Sequence, residues 1–306
     1  ARLGYIADPV AVRLAGRHNR LLGVYTAGSA FPVDTRNSYY PFLAGFEERA
    51  VERGYDLILF AATSGSAPAG GPHEGPRTES TLHRVRLADG CVLFGRHAPI
   101  PVIEQLLDAG FPLVYIGRRD ELGERIPYIG ADYVDGARQV VRRLTDLGHR
   151  RLLYLRDAGE APATADRAAG VRAGVEEAAL PVELEILVGD ESPPGADRIA
   201  ALVREGVTAF VVENRELYAA LTTALEAAGL RVPRDVSVAV LGDDVAAPET
   251  VVSGFALPRP EMGRQAADLL IALLEGVPPE GGTQRLLPCV AVEGRTVGPP
   301  PGGASR

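Results

Sequence analysis

Short apolar runs alternate with segments whose apolar residues repeat at helical spacing throughout the first half of the chain. After the first run, Leu43, Phe46 and Ala50 fall on one helical face, and Gly54 follows them. The predicted strands here are 21–25, 57–60, 92–94 and 113–116, and the predicted helices are 40–53 and 100–109.

The same alternation restarts in the second half. Residues 137–147 are strongly amphipathic, with Val140, Val141 and Leu144 on one face, and Gly148 ends the segment. The predicted strands here are 152–155, 184–188, 209–212, 236–241 and 284–292, and the predicted helices are 137–147, 167–179, 196–204, 216–228 and 261–274.

Strict alternation of strands and helices is typical of parallel sheets that are covered by helices on both faces. Because the strands come in two runs, we predict an α/β fold with two doubly wound lobes and a cleft between them. Ligands of such sheets bind at the carboxyl ends of the strands. The residues directly after each predicted strand are therefore the candidates for a site.

Composition narrows the class of protein. The 306 residues are 46% apolar and 24% charged with a net charge of −8, which is ordinary for a soluble globular protein. Since no apolar run reaches the length of a membrane span and no signal peptide pattern stands at the start, we expect a cytoplasmic protein. Cys91 and Cys289 lie in apolar runs and are predicted to be buried free thiols, and 64–76 is predicted to be an exposed loop.

Polar and aromatic side chains follow several of the predicted strands. The candidates are Tyr39, Tyr40, Asp120, Arg167, Asn214 from the run Glu213-Asn214-Arg215, and Asp243 from the run Gly242-Asp243-Asp244. Carboxylates and amides exchange hydrogen bonds with hydroxyl groups, arginine supplies fixed donors, and an aromatic face covers the apolar side of a ring. The set therefore resembles a site for a sugar or another polyol.

Each candidate also has a purely structural interpretation. The alternatives are a cap or turn role for Asp120, a surface position at a helix start for Arg167, a helix cap for Asn214, a solvated turn for Asp243-Asp244, and a core position for Tyr39 or Tyr40. The shared location behind the strands favours the common site.

Catalysis has little support in the sequence. No glycine-rich phosphate loop and no Gly-x-Ser-x-Gly nucleophile motif is present, and the five histidines are scattered without metal-ligand spacing. We therefore expect a protein that is not an enzyme and that has no cofactor and no metal.

The first residues carry a short helix signal ahead of the first strand. Asp8 is a good N-cap, Pro9 suits the first helical position, and Gly16 is a plausible end. The basic residues of this segment are Arg13, Arg17, His18 and Arg20. Two turns of helix are unstable alone in water, so a polyanionic partner is one interpretation and a solvated arm is the other.

Several runs, in order, resemble the lactose-repressor/galactose-repressor (LacI/GalR) family of bacterial transcription regulators. They are the hinge-like segment 3–14, Asp132 to Ala137 followed by Leu144 to Arg151, Arg167-Ala168-Ala169-Gly170, Val232 to Val238 with Gly242-Asp243-Asp244, Pro258 with Glu261-Met262-Gly263, and Val292 to Thr296. The match covers nearly the whole chain.

The resemblance implies a homodimeric, periplasmic-binding-protein-like core that binds a small-molecule effector and acts on operator DNA. It implies effector contacts at Asp120, Arg167, Asn214 and Asp243, with Tyr39 and Tyr40 near the aromatic positions of the first loop. It also implies a DNA hinge helix with Arg13, Leu14 and Arg17, where Leu14 wedges into the minor groove, behind a helix-turn-helix that is missing from this chain. The implied divisions are the end of the DNA-binding headpiece with the hinge helix at 1–19, one effector-binding lobe at 20–131 and 258–287, and a second at 132–257 and 288–298. The Pro/Gly-rich tail at 299–306 is predicted to be disordered.

Departures from the family pattern leave the effector open. Arg215 stands where an aspartate is usual, and no tryptophan is present for stacking on a sugar. Whether Asp243 or Asp244 faces the cleft also stays open. The alternatives to a regulator are a solute receptor of a transport system, which shares the two-lobed architecture, and a Rossmann-like enzyme.

Overall fold

The computed structural model of the chain describes residues 19–26, 39–61, 84–95, 100–159, 161–189, 194–242, 246–247 and 250–302. The predicted hinge helix with Arg13, Leu14 and Arg17, the predicted loop 64–76, and Asp243 and Asp244 lie outside these ranges. The chain divides into unit 1, Ala1–Gly130 with Arg259–Leu286, and unit 2, Ala131–Pro258 with Leu287–Arg306.

Unit 1 is built on one six-stranded sheet with helices on both faces. Its strands are β1 (Leu21–Thr26), β2 (Asp56–Ala61), β3 (Gly90–Phe94), β4 (Leu113–Ile116), β5 (Tyr128–Asp132), which leads into unit 2, and β13 (Gln284–Pro288). Its helices are α1 (Tyr40–Glu52), α2 (Ile100–Asp108) and α7 (Arg259–Glu275), with short 3-10 turns at Val85–Leu87 and Asp120–Arg125. Helix α2 packs its apolar side chains on the sheet, while α1 and α7 pack together and α7 contacts β3 and β4.

Unit 2 repeats this plan with its own six-stranded sheet. Its strands are β6 (Arg151–Asp157), β7 (Glu183–Gly189), β8 (Ala209–Val212), β9 (Ser237–Leu241), β12 (Ser253–Ala256) and β14 (Val290–Val292), with a separate pair, β10 (Ala246–Ala247) and β11 (Thr250–Val251). Its helices are α3 (Tyr133–Asp146), α4 (Pro162–Glu176), α5 (Ala196–Arg204) and α6 (Arg215–Ala227). Helices α3 and α4 cover one face of the sheet, and α5 and α6 cover the other.

The strand order creates a switch point in each sheet. The order is β13-β5-β4-β3-β1-β2 in unit 1 and β14-β12-β9-β8-β6-β7 in unit 2. Strand β1 therefore pairs in parallel with both β2 and β3, and β6 pairs in parallel with both β7 and β8. The connection after β1 leads to β2 on one side, the connection after β3 leads to β4 on the other side, and β6 and β8 diverge in the same way. A crevice therefore forms at the carboxyl ends between these strands, where ligands of such sheets bind.

The predicted α/β class is confirmed, but the sheets are not wholly parallel. Strand β14 pairs antiparallel with β12 at the edge of the unit 2 sheet. The predicted strand 284–292 is wrong as a single strand, since β13 joins one sheet and β14 the other. A continuous apolar run does not reveal which sheet each part pairs with, and the chain passes from unit 1 to unit 2 within this run.

Other predictions of elements also differ from the structure. Strands β5 and β12 are absent from the predicted set because their short sequences contain glycine and few apolar residues. The predicted helix 167–179 begins earlier, at Pro162, a residue that suits the first turn. Arg167 is therefore a buried residue inside a helix and not a surface residue at a helix start.

Both cysteines are free thiols, as predicted, but only Cys91 is buried. Burial raises the pKa of the Cys91 thiol well above its ordinary value, and burial raises the pKa of the half-buried Cys289 to about 12. Thiols held in this state are poor nucleophiles. No helix within the described ranges is both long and apolar enough to cross a bilayer.

Candidate functional site

A polar cluster lies at the carboxyl ends of β6, β8 and β9 in unit 2, at the switch point of the sheet. Glu213 follows β8 directly, and its backbone N–H donates to the carbonyl of Leu155 on β6 at 3.0 Å. Since β6 and β8 are neighbours in the sheet, the residues that end both strands meet there. The cluster therefore occupies the position where this class of sheet binds ligands.

Glu213 is a buried carboxylate with a partner for each oxygen. Its side chain is 2% exposed. Its Oε1 accepts a hydrogen bond from the Thr164 hydroxyl at 2.6 Å, and its Oε2 accepts from the Asp157 backbone N–H at 2.9 Å. The Tyr154 hydroxyl also donates to Oε2 at 3.4 Å, and burial raises the pKa of that phenol. These bonds hold the carboxylate in one orientation.

Arg167, on α4, brings its guanidinium group to the same place. Its Nε donates to the Leu241 carbonyl at the end of β9, at 2.8 Å. The guanidinium carbon lies 4.1 Å from the centre of the Tyr133 ring, and Nη1 lies 3.6 Å from Oε1 of Glu213. Among the described residues, the Nη1 and Nη2 groups make no hydrogen bond. The four N–H donors of Nη1 and Nη2 are therefore available for a ligand. The Arg167 side chain retains 9% exposure, so a ligand can reach them.

Gly242 allows this placement of Arg167. Its φ is 102°, a conformation that L side chains rarely adopt. A Cβ atom at this position would lie 2.8 Å from Nη2 of Arg167 and 3.2 Å from the Phe255 ring. A larger residue at 242 would therefore displace the guanidinium group.

Asn214 lies beside this cluster and has the capping role that was one of its predicted alternatives. Its Oδ1 accepts a hydrogen bond from the Leu217 N–H at 2.8 Å at the start of α6. The residue is half-buried, and the cap uses only the amide oxygen, so the amide donors stay compatible with ligand contact.

The other described candidates lie in unit 1. Tyr39 precedes α1 and stacks on Phe94, which ends β3, with ring centres 6.1 Å apart and planes 11° apart, and Tyr40 is half-buried in the first turn of α1. Asp120 begins a 3-10 turn behind β4, and its side chain is 60% exposed. It forms an ion pair with Nε of Arg118 at 2.7 Å, which is the turn environment predicted as its alternative.

A second polar group at the same edge of unit 1 was not among the candidates. Arg119 donates from Nε to the Tyr115 hydroxyl at 2.9 Å and from Nη2 to the Gly95 carbonyl at 3.0 Å. The Tyr115 hydroxyl in turn donates to the Gly95 carbonyl. Burial raises the pKa of Tyr115 to about 12, so the phenol is neutral.

Three members of the unit 2 cluster are not among the candidates predicted from the sequence: Glu213, Thr164 and Tyr133. Glu213 was visible in the run behind β8, where a carboxylate directly after four apolar residues is a signal of a functional strand end. Thr164 and Tyr133 carry no comparable signal, because their roles depend on how α3 and α4 pack over the sheet. No group of three or more His, Cys, Asp and Glu side chains that could hold a metal ion occurs in the described part of the chain.

Comparisons with known proteins agree with this architecture. A family model for the periplasmic binding protein-like domain matches residues 141–297, just over half of the chain. In sequence, the chain is 29% identical over 287 residues to the HTH-type transcriptional regulator CelR of Thermobifida fusca, with 90% of this chain and 80% of CelR covered.

Solved structures show the same fold. A regulatory protein of the LacI family from Chloroflexus aggregans has a TM-score of 0.71 at 24% identity, with 91% of this chain and 99% of that chain covered. A LacI-family transcriptional regulator from Enterococcus faecium with bound ribose has a TM-score of 0.69 at 21% identity, with the same coverage. These matches confirm the family expected from the sequence runs and favour a regulator over a transport receptor. The chain belongs to the periplasmic binding protein-like family, within the LacI/GalR class of transcription regulators.

Proposed function

We propose that this chain is the effector-binding core of a transcription regulator and that a sugar-like effector binds at the carboxyl ends of the unit 2 strands. The observation that carries the proposal is the position of Arg167, which is buried at the switch point with four terminal N–H donors that make no hydrogen bond to a described residue. Arg167, Asn214 and Asp243 are the proposed contacts in this unit. Tyr39, Tyr40 and Asp120 are the proposed contacts in unit 1.

The chemistry of these groups suits a polyol. The planar guanidinium group presents fixed donors to adjacent hydroxyl oxygens, and the Asn214 amide both donates and accepts. Among similar proteins, the Enterococcus faecium regulator holds ribose, which supports a sugar as the ligand class. Binding acts as a switch only if the effector has different affinity for two states of the protein.

Regulation further implies partners beyond the effector. We propose that the chain acts as a homodimer in the cytoplasm, that it binds operator DNA, and that Arg13, Leu14 and Arg17 belong to a hinge that contacts the DNA. We also propose that the chain has a binding role and no catalytic activity.

The site assignment is tested by substituting Arg167. A thermal-shift screen of neutral sugars and small metabolites identifies an effector, and calorimetry then compares wild-type protein with Arg167→Ala and Arg167→Lys. We expect a loss of affinity of about 10- to 100-fold or more, since each hydrogen bond from a charged group contributes about 1.5–3 kcal/mol. Size-exclusion chromatography is expected to show an unchanged dimer.

Arg172→Ala is the matched control, because Arg172 lies on the same helix with its side chain exposed. This variant is expected to bind the effector as the wild type does. Unchanged effector affinity in Arg167→Lys, in a protein that unfolds at the wild-type temperature, would contradict the assignment. The regulatory part is tested by fluorescence anisotropy, in which the identified effector must shift the affinity of the complete gene product for DNA upstream of its gene.

A further inference from the structure

We propose that Glu213 is a specificity-determining residue that makes the Arg167 site accept neutral polyhydroxy ligands and reject carboxylates and phosphate esters. The proposal rests on the proposed function of the same site and adds the charge class of the ligand. No residue of the candidate set defined from sequence has this role.

The Glu213 carboxylate neutralises the positive charge of the Arg167 guanidinium group. A buried guanidinium group beside strand ends is a ready binding site for an anion, because its planar fork matches the oxygens of carboxylates and phosphates. Here Oε1 of Glu213 already lies 3.6 Å from Nη1, and both side chains are almost fully buried. The pair contributes no net charge to the site.

Glu213 cannot turn away from the guanidinium group without losing its own partners. Thr164 and the Asp157 N–H occupy its two oxygens at 2.6 and 2.9 Å, and these donors belong to α4 and to the end of β6. A carboxylate held by two elements of the fold is a permanent part of the site. It therefore differs from a surface side chain that a ligand could displace.

This arrangement separates ligands by charge. An anion that accepts hydrogen bonds from the terminal nitrogens of Arg167 would lie within a few ångströms of Glu213, in a region of low dielectric, where like charges repel strongly. A hydroxyl oxygen accepts the same hydrogen bonds without that repulsion. The available N–H donors thus serve neutral ligands, and the carboxylate excludes acids.

The experiment uses sulfate as the anionic probe and Glu213→Gln as the variant. The glutamine side chain keeps an oxygen that accepts from the Asp157 N–H. Its NH₂ group can donate to the Thr164 hydroxyl, which then accepts a hydrogen bond where it donates one in the wild type. Thermal unfolding is measured against sodium sulfate, with sodium chloride at equal ionic strength as the reference. We expect the variant to gain a saturable rise in Tm of about 2–4 °C and a sulfate affinity roughly tenfold or more above the wild type.

Two variants serve as controls. Glu216→Gln removes one negative charge from an exposed position in the first turn of α6 and is expected to behave as the wild type. The double variant Glu213→Gln with Arg167→Gln removes the cation and is expected to lose the gain. Because sulfate also stabilises proteins non-specifically, only the difference from wild type counts.

The proposal is overturned if wild type and Glu213→Gln respond equally to sulfate. A second measurement, which does not use Glu213→Gln, keeps the proposal testable should that variant not fold. In it, glucuronate must stabilise the protein no more than sodium chloride does, and stabilisation by glucuronate that Arg167→Gln abolishes would refute the proposal. Should Glu213→Gln gain sulfate binding while no sugar binds to wild-type protein, the charge rule stands and the proposed function fails.

Discussion

Both units hold an arginine and a carboxylate beside their strand ends, but in very different surroundings. In unit 1, Arg118 and Asp120 pair at 2.7 Å where the carboxylate is 60% exposed, whereas in unit 2, Arg167 and Glu213 lie 3.6 Å apart with 9% and 2% exposure. The shorter contact, between Arg118 and Asp120, contributes less to stability, because water screens the attraction between exposed charges. The longer contact belongs to a buried hydrogen-bond network. Removing one of its charges is destabilising, because the other charge then stays buried without a partner.

In both units, two neighbouring helices pack closely at a glycine. In unit 1, a Cβ atom on Gly263 of α7 would lie 2.1 Å from the Phe42 carbonyl of α1, and in unit 2, one on Gly170 of α4 would lie 2.2 Å from the Val134 carbonyl of α3. Both pairs of helices therefore touch backbone to backbone. The scaffold is shared between the units, and the strand ends differ.

The largest expected effect comes from breaking the buried pair. Glu213→Ala leaves the Arg167 charge, the Thr164 hydroxyl and the Asp157 N–H without their partner. We expect the free energy of unfolding to fall by about 3–5 kcal/mol, measured by urea unfolding. Glu216→Ala, at an exposed position of α6, is expected to cost less than about 1 kcal/mol, and equal losses in the two variants would remove the distinction between buried and exposed charge.

The similarity of the helix contacts is tested by Gly170→Ala and Gly263→Ala. Each is expected to lower the free energy of unfolding by about 1–3 kcal/mol, although alanine is the better helix former, because the helices must separate. Ala169→Ser adds an atom to the exposed face of α4 and is expected to change stability by less than about 0.5 kcal/mol. A neutral or stabilising Gly263→Ala beside a destabilising Gly170→Ala would show that the units pack differently.

The smallest effect is expected at the exposed pair of unit 1. Asp120→Asn removes one charge of a pair that water already screens, so the free energy of unfolding should change by less than about 1 kcal/mol. The difference from wild type should shrink further in 0.5 M salt. A loss as large as that of Glu213→Ala would mean that the pair is not a surface contact.

Much of the scaffold was predictable because it follows from local periodicity. Helix α5 and strands β4 and β8 have the predicted bounds, and the other predicted helices begin or end within a few residues of their predicted limits. Strands β5 and β12 were not predictable in this way, because glycine and polar residues hide their pattern and their pairing partners stabilise them.

The candidate site was predictable only in outline. The positions behind the strands and the family runs pointed to Arg167 and Asn214. They did not reveal that Arg167 is buried beside Glu213, because these residues are 46 positions apart in the sequence and meet only when α4 packs on the sheet. Asn214 shows the opposite case, since its capping role depends on the three residues that follow it.

The sequence by itself determined the alternation of strands and helices, the α/β class and the family, since these depend on periodicity and on ordered short runs. The tertiary structure decided which sheet each part of the 284–292 run joins and which carboxylate faces Arg167. Sheet order and helix packing bring together residues that are distant in the chain, and no local pattern encodes those distances. The charge of the site, and with it the proposed choice of ligand, follows from that packing.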